Sequence, residues 1–262
     1  MRNPIRIEGA RAARSKQYPV DSTRAWWPGE LGVIRLMALL MVSLWIGCSD
    51  ERPPQTTTPA AIGVLAVEEP RTRRDADGPV PTIVFLGTSL TAGYGLEESQ
   101  AFPALIQERI DAAGLEYRVI NAGVSGDTSA GGLRRLDWLL RLPVSILVLE
   151  LGANDMLRGQ GVEPMRANLS AILDQTKATH PNVRFVIAGM RAAPNLGRDY
   201  TGRFDAVFPD LARRYDAALI PFLLEDVAAR RHLNQADGIH PTAEGHALIA
   251  GRVWQALEPI LR

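Results

Sequence analysis

The chain has 262 residues, a formal net charge of zero at pH 7 and one cysteine. This length suits a single well-buried α/β domain with appendages rather than two full domains. The balanced charge gives no overall basic field to hold nucleic acid, which argues against a nucleic-acid partner. A single cysteine excludes an internal disulfide and a cysteine-based zinc site.

The N-terminal segment, residues 1–48, has the features of an export signal. Its apolar run, residues 36–47, is shorter than the roughly 20 residues that span a bilayer. The run ends at Cys48 in a context that resembles the bacterial lipoprotein signal, although Trp45 stands where that pattern prefers leucine. We expect Cys48 to be lipidated and the protein to be exported and tethered in the bacterial periplasm or cell envelope. An uncleaved anchor or a buried core segment is the alternative, and a translation start near Val33 would leave a compact signal.

Two regions follow the signal. Residues 49–80 are rich in Pro, Thr, Ala and alternating charges, which predicts a disordered linker. Residues 81–262 alternate short β-branched runs with longer helical patterns, which predicts a mostly parallel five-stranded sheet in a three-layer α/β/α domain. The predicted strands are 82–86, 117–121, 145–151, 184–188 and 218–221. The predicted helices are 102–113, 129–142, 164–179, 204–215 and 242–257.

Candidate polar groups follow the first three predicted strands. Right-handed crossovers place the carboxyl ends of all parallel strands at one edge of the sheet, where α/β proteins carry their sites. Ser89 follows the first strand, Gly123 and Gly126 the second, and Asn154 the third. The Ser89 N–H, a glycine N–H and the Asn154 amide can all donate to an oxyanion. Glycine suits such a position because a missing Cβ lets the substrate approach the backbone.

A candidate base lies near the C-terminus. Asp237 precedes His240 by three residues and Pro241 follows, an arrangement that none of the other histidines has. In a tight turn the short Asp side chain reaches Nδ1–H of the histidine, which fixes the tautomer and leaves Nε2 free to take a proton. His240 is therefore the candidate general base, and Ser89 the nucleophile that it would activate against a carbonyl carbon.

Four segments together resemble the sequence blocks of the SGNH, or GDSL, hydrolases, of the thioesterase I / lysophospholipase L1 / arylesterase type. The blocks are Gly87-Thr-Ser89-Leu-Thr-Ala-Gly-Tyr-Gly, Val124-Ser-Gly126-Asp-Thr, Leu151-Gly-Ala-Asn154-Asp and Asp237-Gly-Ile-His240-Pro. The resemblance runs in order from about residue 82 to the C-terminus.

The resemblance implies a flavodoxin-like three-layer fold and a serine esterase that needs no metal and no organic cofactor. Ser89 is implied as nucleophile and first oxyanion donor, with Gly126 and Asn154 as the other donors. Asp237 and His240 complete the implied triad. The implied substrates are small-molecule esters and lipids: aryl esters, thioesters, lysophospholipids and short to medium acyl chains. No obligate protein partner is implied.

One residue departs from the family pattern. Thr88 stands where these hydrolases have an aspartate before the nucleophile, and its hydroxyl can still make a local hydrogen bond. Met156 and Leu157 follow the Asn154 block, and we expect them to be apolar contacts of a loop over the acyl site.

Structural alternatives exist for the same residues. Ser89 in its turn can be a helix N-cap, and Asn154 can be a capping residue after a buried strand. The histidines other than His240 have no metal-ligand spacing, and we expect His246 to lie at the surface or to pack.

Two other functions fit the same blocks. A carbohydrate O-acetyl esterase would use the same triad in a more polar cleft, and a non-catalytic envelope lipoprotein would keep only the fold. Export would place the site outside the cytoplasm, where acyl-CoA is scarce, and would favour hydrolysis of lysophospholipids or small esters.

Overall fold

The computed structural model describes residues 80–262, which form a parallel sheet with helices on both faces. The predicted export signal, Cys48 and the predicted linker apart from its last residue lie outside the described residues. Within 80–262, every helix is too short or too polar to span a bilayer.

The sheet has five strands: β1 (Thr82–Gly87), β2 (Arg118–Gly123), β3 (Val144–Glu150), β4 (Arg184–Ala188) and β5 (Ala218–Ile220). They lie in the order β2-β1-β3-β4-β5, and all neighbouring strands are parallel. This is the flavodoxin-like order, and it reverses direction between β1 and β3, where such sheets carry their sites. All five predicted strands are confirmed, with ends that shift by at most two residues.

The two central strands are the most deeply buried. All residues of β1 are buried, and so are all but Ser145 of β3. Strands covered by helices on both faces are near-continuous apolar runs, which is how these two segments appear in the sequence. The strands that end at the site are therefore fixed by the core.

Eight helices lie among the described residues: α1 (Ser89–Ala92), α2 (Phe102–Ala112), α3 (Ser129–Arg134), α4 (Leu136–Leu139), α5 (Ala153–Leu157), α6 (Val162–Thr179), α7 (Arg198–Arg214) and α8 (Ala243–Leu261). Helices α2 and α8 pack together on one face, and α6 contacts both α3 and α7 on the other. The three-layer α/β/α fold is confirmed.

Three predicted helices were wrong in extent. Helix α8 continues to Leu261, four residues beyond the predicted 257. The helix at 129–142 is broken into α3 and α4 at Arg135, whose backbone leaves helical geometry and whose side chain bonds to Gly87 O and to Asp127. Helix α7 begins six residues before the predicted 204, because its first turns are polar and exposed and the apolar periodicity starts only at Phe204.

Candidate active site

Ser89 lies just beyond the carboxyl end of β1, which ends at Gly87, and Thr88 stands between them. Thr88, and not Ser89, is the N-cap of α1, and its Oγ1 accepts a hydrogen bond from Leu90 N at 3.3 Å. The N-cap interpretation of Ser89 is therefore wrong. Because Thr88 serves as the cap, the Ser89 hydroxyl is free to face the loop that carries His240.

His240 joins Ser89 and Asp237 in one hydrogen-bonded chain. His240 Nδ1 lies 2.6 Å from Asp237 Oδ2, and His240 Nε2 lies 2.9 Å from Ser89 Oγ. Asp237 Oδ1 also accepts the backbone N–H groups of Ile239 and His240 at 2.9 and 3.0 Å. These bonds lower the pKa of the Asp237 carboxyl to about 2, and the bond from the His240 side chain contributes most. Asp237 is therefore an anion at neutral pH and fixes the imidazole with Nε2 towards the serine.

The loop around His240 is held by its own neighbours. Gln235 N donates to His240 O at 2.7 Å, and Asn234 forms an isolated antiparallel bridge with Pro241. The Tyr94 ring packs against the imidazole with centroids 4.5 Å apart, and Gln235 Nε2 donates to Tyr94 O. The loop thus closes on itself and on the segment after α1.

The predicted oxyanion donors lie in the same cavity as Ser89. Gly126 has a φ of +80°, a conformation that L side chains rarely adopt, so the sequence needs glycine there. Asn154 Nδ2 donates one hydrogen to Asp127 O at 2.8 Å, which orients the amide and leaves its second N–H unused by that bond. Among residues 80–262, no protein acceptor takes the backbone N–H of Ser89 or Gly126. Three donors are therefore available beside the Ser89 hydroxyl.

The side chains next to these donors are structural. Asp155 is buried and accepts hydrogen bonds from Ser129 N and Oγ, and Thr128 Oγ1 caps α3. Asp127 pairs with Arg135 at 2.7 Å.

A cavity of about 640 Å³ opens beside Ser89 and His240. Gly126 and Asn154 line it, and so do Met156 and Leu157, which lie in helix α5 and not in the predicted loop. The remaining apolar wall contains side chains that the sequence analysis missed: Met190, Ala193, Phe222 and Leu224. They follow β4 and β5 in the chain. The one sequence signal for them was that the carboxyl ends of parallel strands lie at the same edge of the sheet.

The remaining histidines lie elsewhere. His246 is buried, and its Nδ1 accepts the Phe102 N–H at 3.1 Å, which confirms a packing role. Burial, and secondarily the charge of His240, lowers the pKa of His246 to about 4. Within residues 80–262, no group of three or more His, Cys, Asp or Glu side chains is arranged to hold a metal ion.

The sequence analysis missed Glu150, the last residue of β3. It is fully buried, and its carboxyl group accepts hydrogen bonds from both Thr88 and Thr91. Burial raises the pKa of the Glu150 carboxyl to about 7. The available signal was a lone carboxylate at the end of an otherwise apolar strand.

The chain is similar to proteins of known class. Residues 85–248 match the model of the GDSL-like Lipase/Acylhydrolase family. Esterase TesA of Pseudomonas aeruginosa is 39% identical over 69% of this chain and 89% of its own length. Thioesterase 1/protease 1/lysophospholipase L1 of Escherichia coli K12 is 38% identical over 69% of this chain and 85% of its own. The structure of the psychrotrophic esterase EstA from Pseudoalteromonas sp., inhibited by monoethylphosphonate, superposes with a TM-score of 0.65 at 35% identity, over 69% of this chain and 98% of that one.

Proposed function

Because the chain belongs to the GDSL-like lipase/acylhydrolase family and is a carboxylic ester hydrolase, we propose that Ser89, His240 and Asp237 are its catalytic triad. The observation that carries this proposal is the unbroken chain of hydrogen bonds from Asp237 Oδ2 through His240 to Ser89 Oγ, at 2.6 and 2.9 Å. These distances are those at which a base takes a proton from a nucleophile.

Acylation begins with attack of Ser89 Oγ on the carbonyl carbon of a small-molecule ester. His240 Nε2 takes the serine proton and then delivers it to the leaving-group oxygen as the tetrahedral intermediate collapses. Asp237 stabilises the imidazolium that forms in between, and its low pKa keeps it ionised throughout.

The oxyanion of that intermediate is bound by the backbone N–H groups of Ser89 and Gly126 and by the free N–H of Asn154. The bond from Asn154 to Asp127 O supports this role because it orients the amide before substrate arrives. Each such donor is worth about 10²–10³ in kcat.

Deacylation uses the same groups in reverse. Water enters at the position of the leaving group, His240 Nε2 removes its proton, and the hydroxide attacks the acyl-serine carbonyl. The proton then returns to Ser89 Oγ as the carboxylic acid leaves, so no cofactor is consumed.

We further propose fatty acyl esters and thioesters, including lysophospholipids, as the substrate class. The cavity wall beyond the triad is mostly apolar, with Met156, Met190, Phe222 and Leu224 in it beside one charged residue, Arg191, and such a wall suits an acyl chain better than a sugar. The names of two similar proteins, an esterase and a thioesterase/lysophospholipase, agree with this class. The apolar wall also weighs against a carbohydrate O-acetyl esterase.

Fluorophosphonate labelling tests the triad. We expect stoichiometric labelling of the wild type, none of Ser89→Ala and unchanged labelling of the control Ser99→Ala, an exposed serine outside the cavity. Labelling of Ser89→Ala at the wild-type rate would remove Ser89 from the mechanism. A wild type that is not labelled would contradict the proposed triad.

A series of acetyl, butyryl, octanoyl and lauroyl p-nitrophenyl esters tests the substrate class, beside lysophosphatidylcholine and acetylated xylose. Each additional buried methylene is worth about 0.8 kcal/mol, so we expect kcat/KM to rise by up to about fourfold per methylene until the chain fills the cavity. A preference for acetylated xylose over octanoyl ester would instead identify a carbohydrate esterase.

We also propose export and lipidation at Cys48, which rest on the sequence alone. The support is the apolar run at 36–47 that ends directly before the cysteine. Radiolabelled palmitate should enter the full-length protein in bacterial cells and should not enter Cys48→Ser. Equal incorporation into both proteins would rule out Cys48 as the modified residue.

A further inference from the structure

Three donors of the turn that carries Ser89 converge on one buried oxygen atom, Glu150 Oε2. Thr88 N donates to it at 2.8 Å, Thr91 N at 3.3 Å and Thr91 Oγ1 at 2.8 Å. Thr88 Oγ1 lies 3.0 Å from both carboxyl oxygens. The donors lie on both sides of Ser89 in the sequence, so the carboxyl group of Glu150 holds the turn before and after the nucleophile.

The surroundings of Glu150 are adapted to this contact. Thr88, Thr91 and Glu150 are all within 1% of complete burial. A Cβ on residue 87 would collide with Thr91 Oγ1 and lie 2.6 Å from Glu150 Oε2, so the close approach of the carboxyl group requires Gly87. Among the described residues, no cation pairs with Glu150. The hydrogen bonds of the Glu150 carboxyl group are therefore made with Thr88 and Thr91 of the turn.

We propose that Glu150 is a positioning residue for the nucleophile: by accepting the N–H and O–H donors of Thr88 and Thr91 at Oε2, it places Ser89 for attack. Glu150 contacts neither the triad nor the cavity and acts only through its two threonine partners. The inference rests on the proposed role of Ser89. It also gives Thr88 a function in place of the aspartate of the family pattern, because a hydroxyl can donate to Glu150 while it accepts from Leu90 N.

The contact survives protonation of Glu150. Three donors, Thr88 N, Thr91 N and Thr91 Oγ1, bond to Oε2 alone, and the Thr88 hydroxyl lies between the two carboxyl oxygens. A proton on the carboxyl group therefore belongs on Oε1, where it can donate to Thr88 Oγ1. The burial that raises the pKa of Glu150 to about 7 therefore does not remove the acceptor. Glutamine, with its carbonyl at Oε2 and its amide at Oε1, reproduces this arrangement, whereas methionine has the same length and no comparable acceptor.

The test compares Glu150→Met with Glu150→Gln by steady-state kinetics on octanoyl ester and by the rate of fluorophosphonate labelling. A misplacement of about 1 Å at a reacting atom costs on the order of 10² in rate. We expect Glu150→Met to lose about 10² in kcat and in labelling rate with KM within twofold, and Glu150→Gln to stay within threefold of wild type.

A second pair of variants covers the case in which Glu150→Met does not fold. Thr91→Val keeps the side-chain volume and removes one donor to Oε2, while Thr91→Ser keeps the donor. We expect Thr91→Val to lose about tenfold in kcat with unchanged KM, because one of the donors that hold the turn on Glu150 Oε2 is gone, and Thr91→Ser to stay near the wild-type kcat.

The outcomes separate this inference from the proposed function. The inference is overturned if Glu150→Met labels at the wild-type rate, if folded Glu150→Gln is as slow as Glu150→Met, or if Thr91→Ser is as slow as Thr91→Val. In each of these results the wild type is still labelled at Ser89, and the triad stands. A wild type that is not labelled at Ser89 contradicts the triad itself.

Discussion

Ser89 and His240 meet at 2.9 Å, but the segments that carry them are held in different ways. The turn at Ser89 is bonded to Glu150 and Arg135, residues far along the chain, and its anchor is buried in the sheet. The loop at His240 is held mostly by residues within six positions of the histidine and is largely exposed.

This difference separates stability from activity. Substitutions under the serine turn remove contacts of the core, so they are expected to change folding and catalysis together. Substitutions in the histidine loop act on an exposed, locally closed segment, so they can abolish catalysis while the fold remains intact. The following predictions test that contrast in order of decreasing effect.

Asp237→Asn should reduce kcat/KM by about 10³–10⁴, because an amide in place of the carboxylate supports the wrong imidazole tautomer. The melting temperature should stay within about 2 °C of wild type, since Asp237 is exposed. Ester hydrolysis and thermal unfolding measure the two effects, with the exposed Asp199→Asn as control. A large fall in melting temperature would contradict the contrast.

The pKa of Asp237 adds a condition to that prediction. Because it is lowered to about 2, the Asp237 carboxyl group stays ionised at neutral pH and is protonated only as pH falls through about 2. Titration of the Asp237 carboxyl group should therefore cause no step in the activity of the wild type between about pH 4 and pH 8.

Asn234→Ala tests a buried anchor of the histidine loop. Its Nδ2 donates to Val227 O and Arg230 O at 2.7 and 2.8 Å, and removal leaves two carbonyls without this donor. We expect a loss of about 2 kcal/mol in unfolding free energy, about 4–8 °C in melting temperature. Chemical denaturation checks this, and an unchanged midpoint would mean that local closure alone holds the loop.

His246 lies six residues after His240 but is buried, and His246→Gln tests its effect on stability. The pKa of buried His246 is lowered to about 4, so between about pH 6.5 and 4 the unfolded chain binds a proton that the folded one does not. The stability that neutral His246 provides is full above about pH 6.5 and falls with acidification, by about 2 kcal/mol from pH 7 to pH 5. Urea denaturation at both pH values should show this loss of unfolding free energy in the wild type and not in the variant. An equal loss in the two proteins would refute the prediction.

Arg135→Gln should have the smallest effect. Arg135 Nη2 donates to Gly87 O at 3.0 Å, but the side chain is partly exposed and its pairing with Asp127 is worth about 1 kcal/mol or less. We expect a few-fold fall in kcat and a small shift in melting temperature, with exposed Arg141→Gln as control. A loss of kcat as large as that of Glu150→Met would mean that the bond from Arg135 to Gly87 O, and not the buried carboxyl group of Glu150, is the main support of the serine turn.

The fold and the triad candidates were predictable because their signals are local. Apolar β-branched runs marked β1 and β3, and the spacing of Asp237 and His240 sets the 2.6 Å contact within one turn. Boundaries failed where side chains acted over distance, as at Arg135, which interrupts a helix to reach Gly87.

The cavity wall and the support of the serine turn were not predictable in this way. Met190 and Phe222 follow different strands and have no pattern in common, and Glu150 resembles the polar end of an ordinary strand until Thr88 and Thr91 are seen to bond to it.

The sequence alone determined which residues have the chemistry for acyl transfer and which strands are buried, because side-chain type and apolar periodicity are properties of short segments. Only the tertiary structure decided that Ser89 and His240, 151 residues apart, share a hydrogen bond, and that a carboxyl group in β3 holds the serine turn. Those contacts depend on the order and register of the parallel strands, which arise when distant segments pack into one sheet.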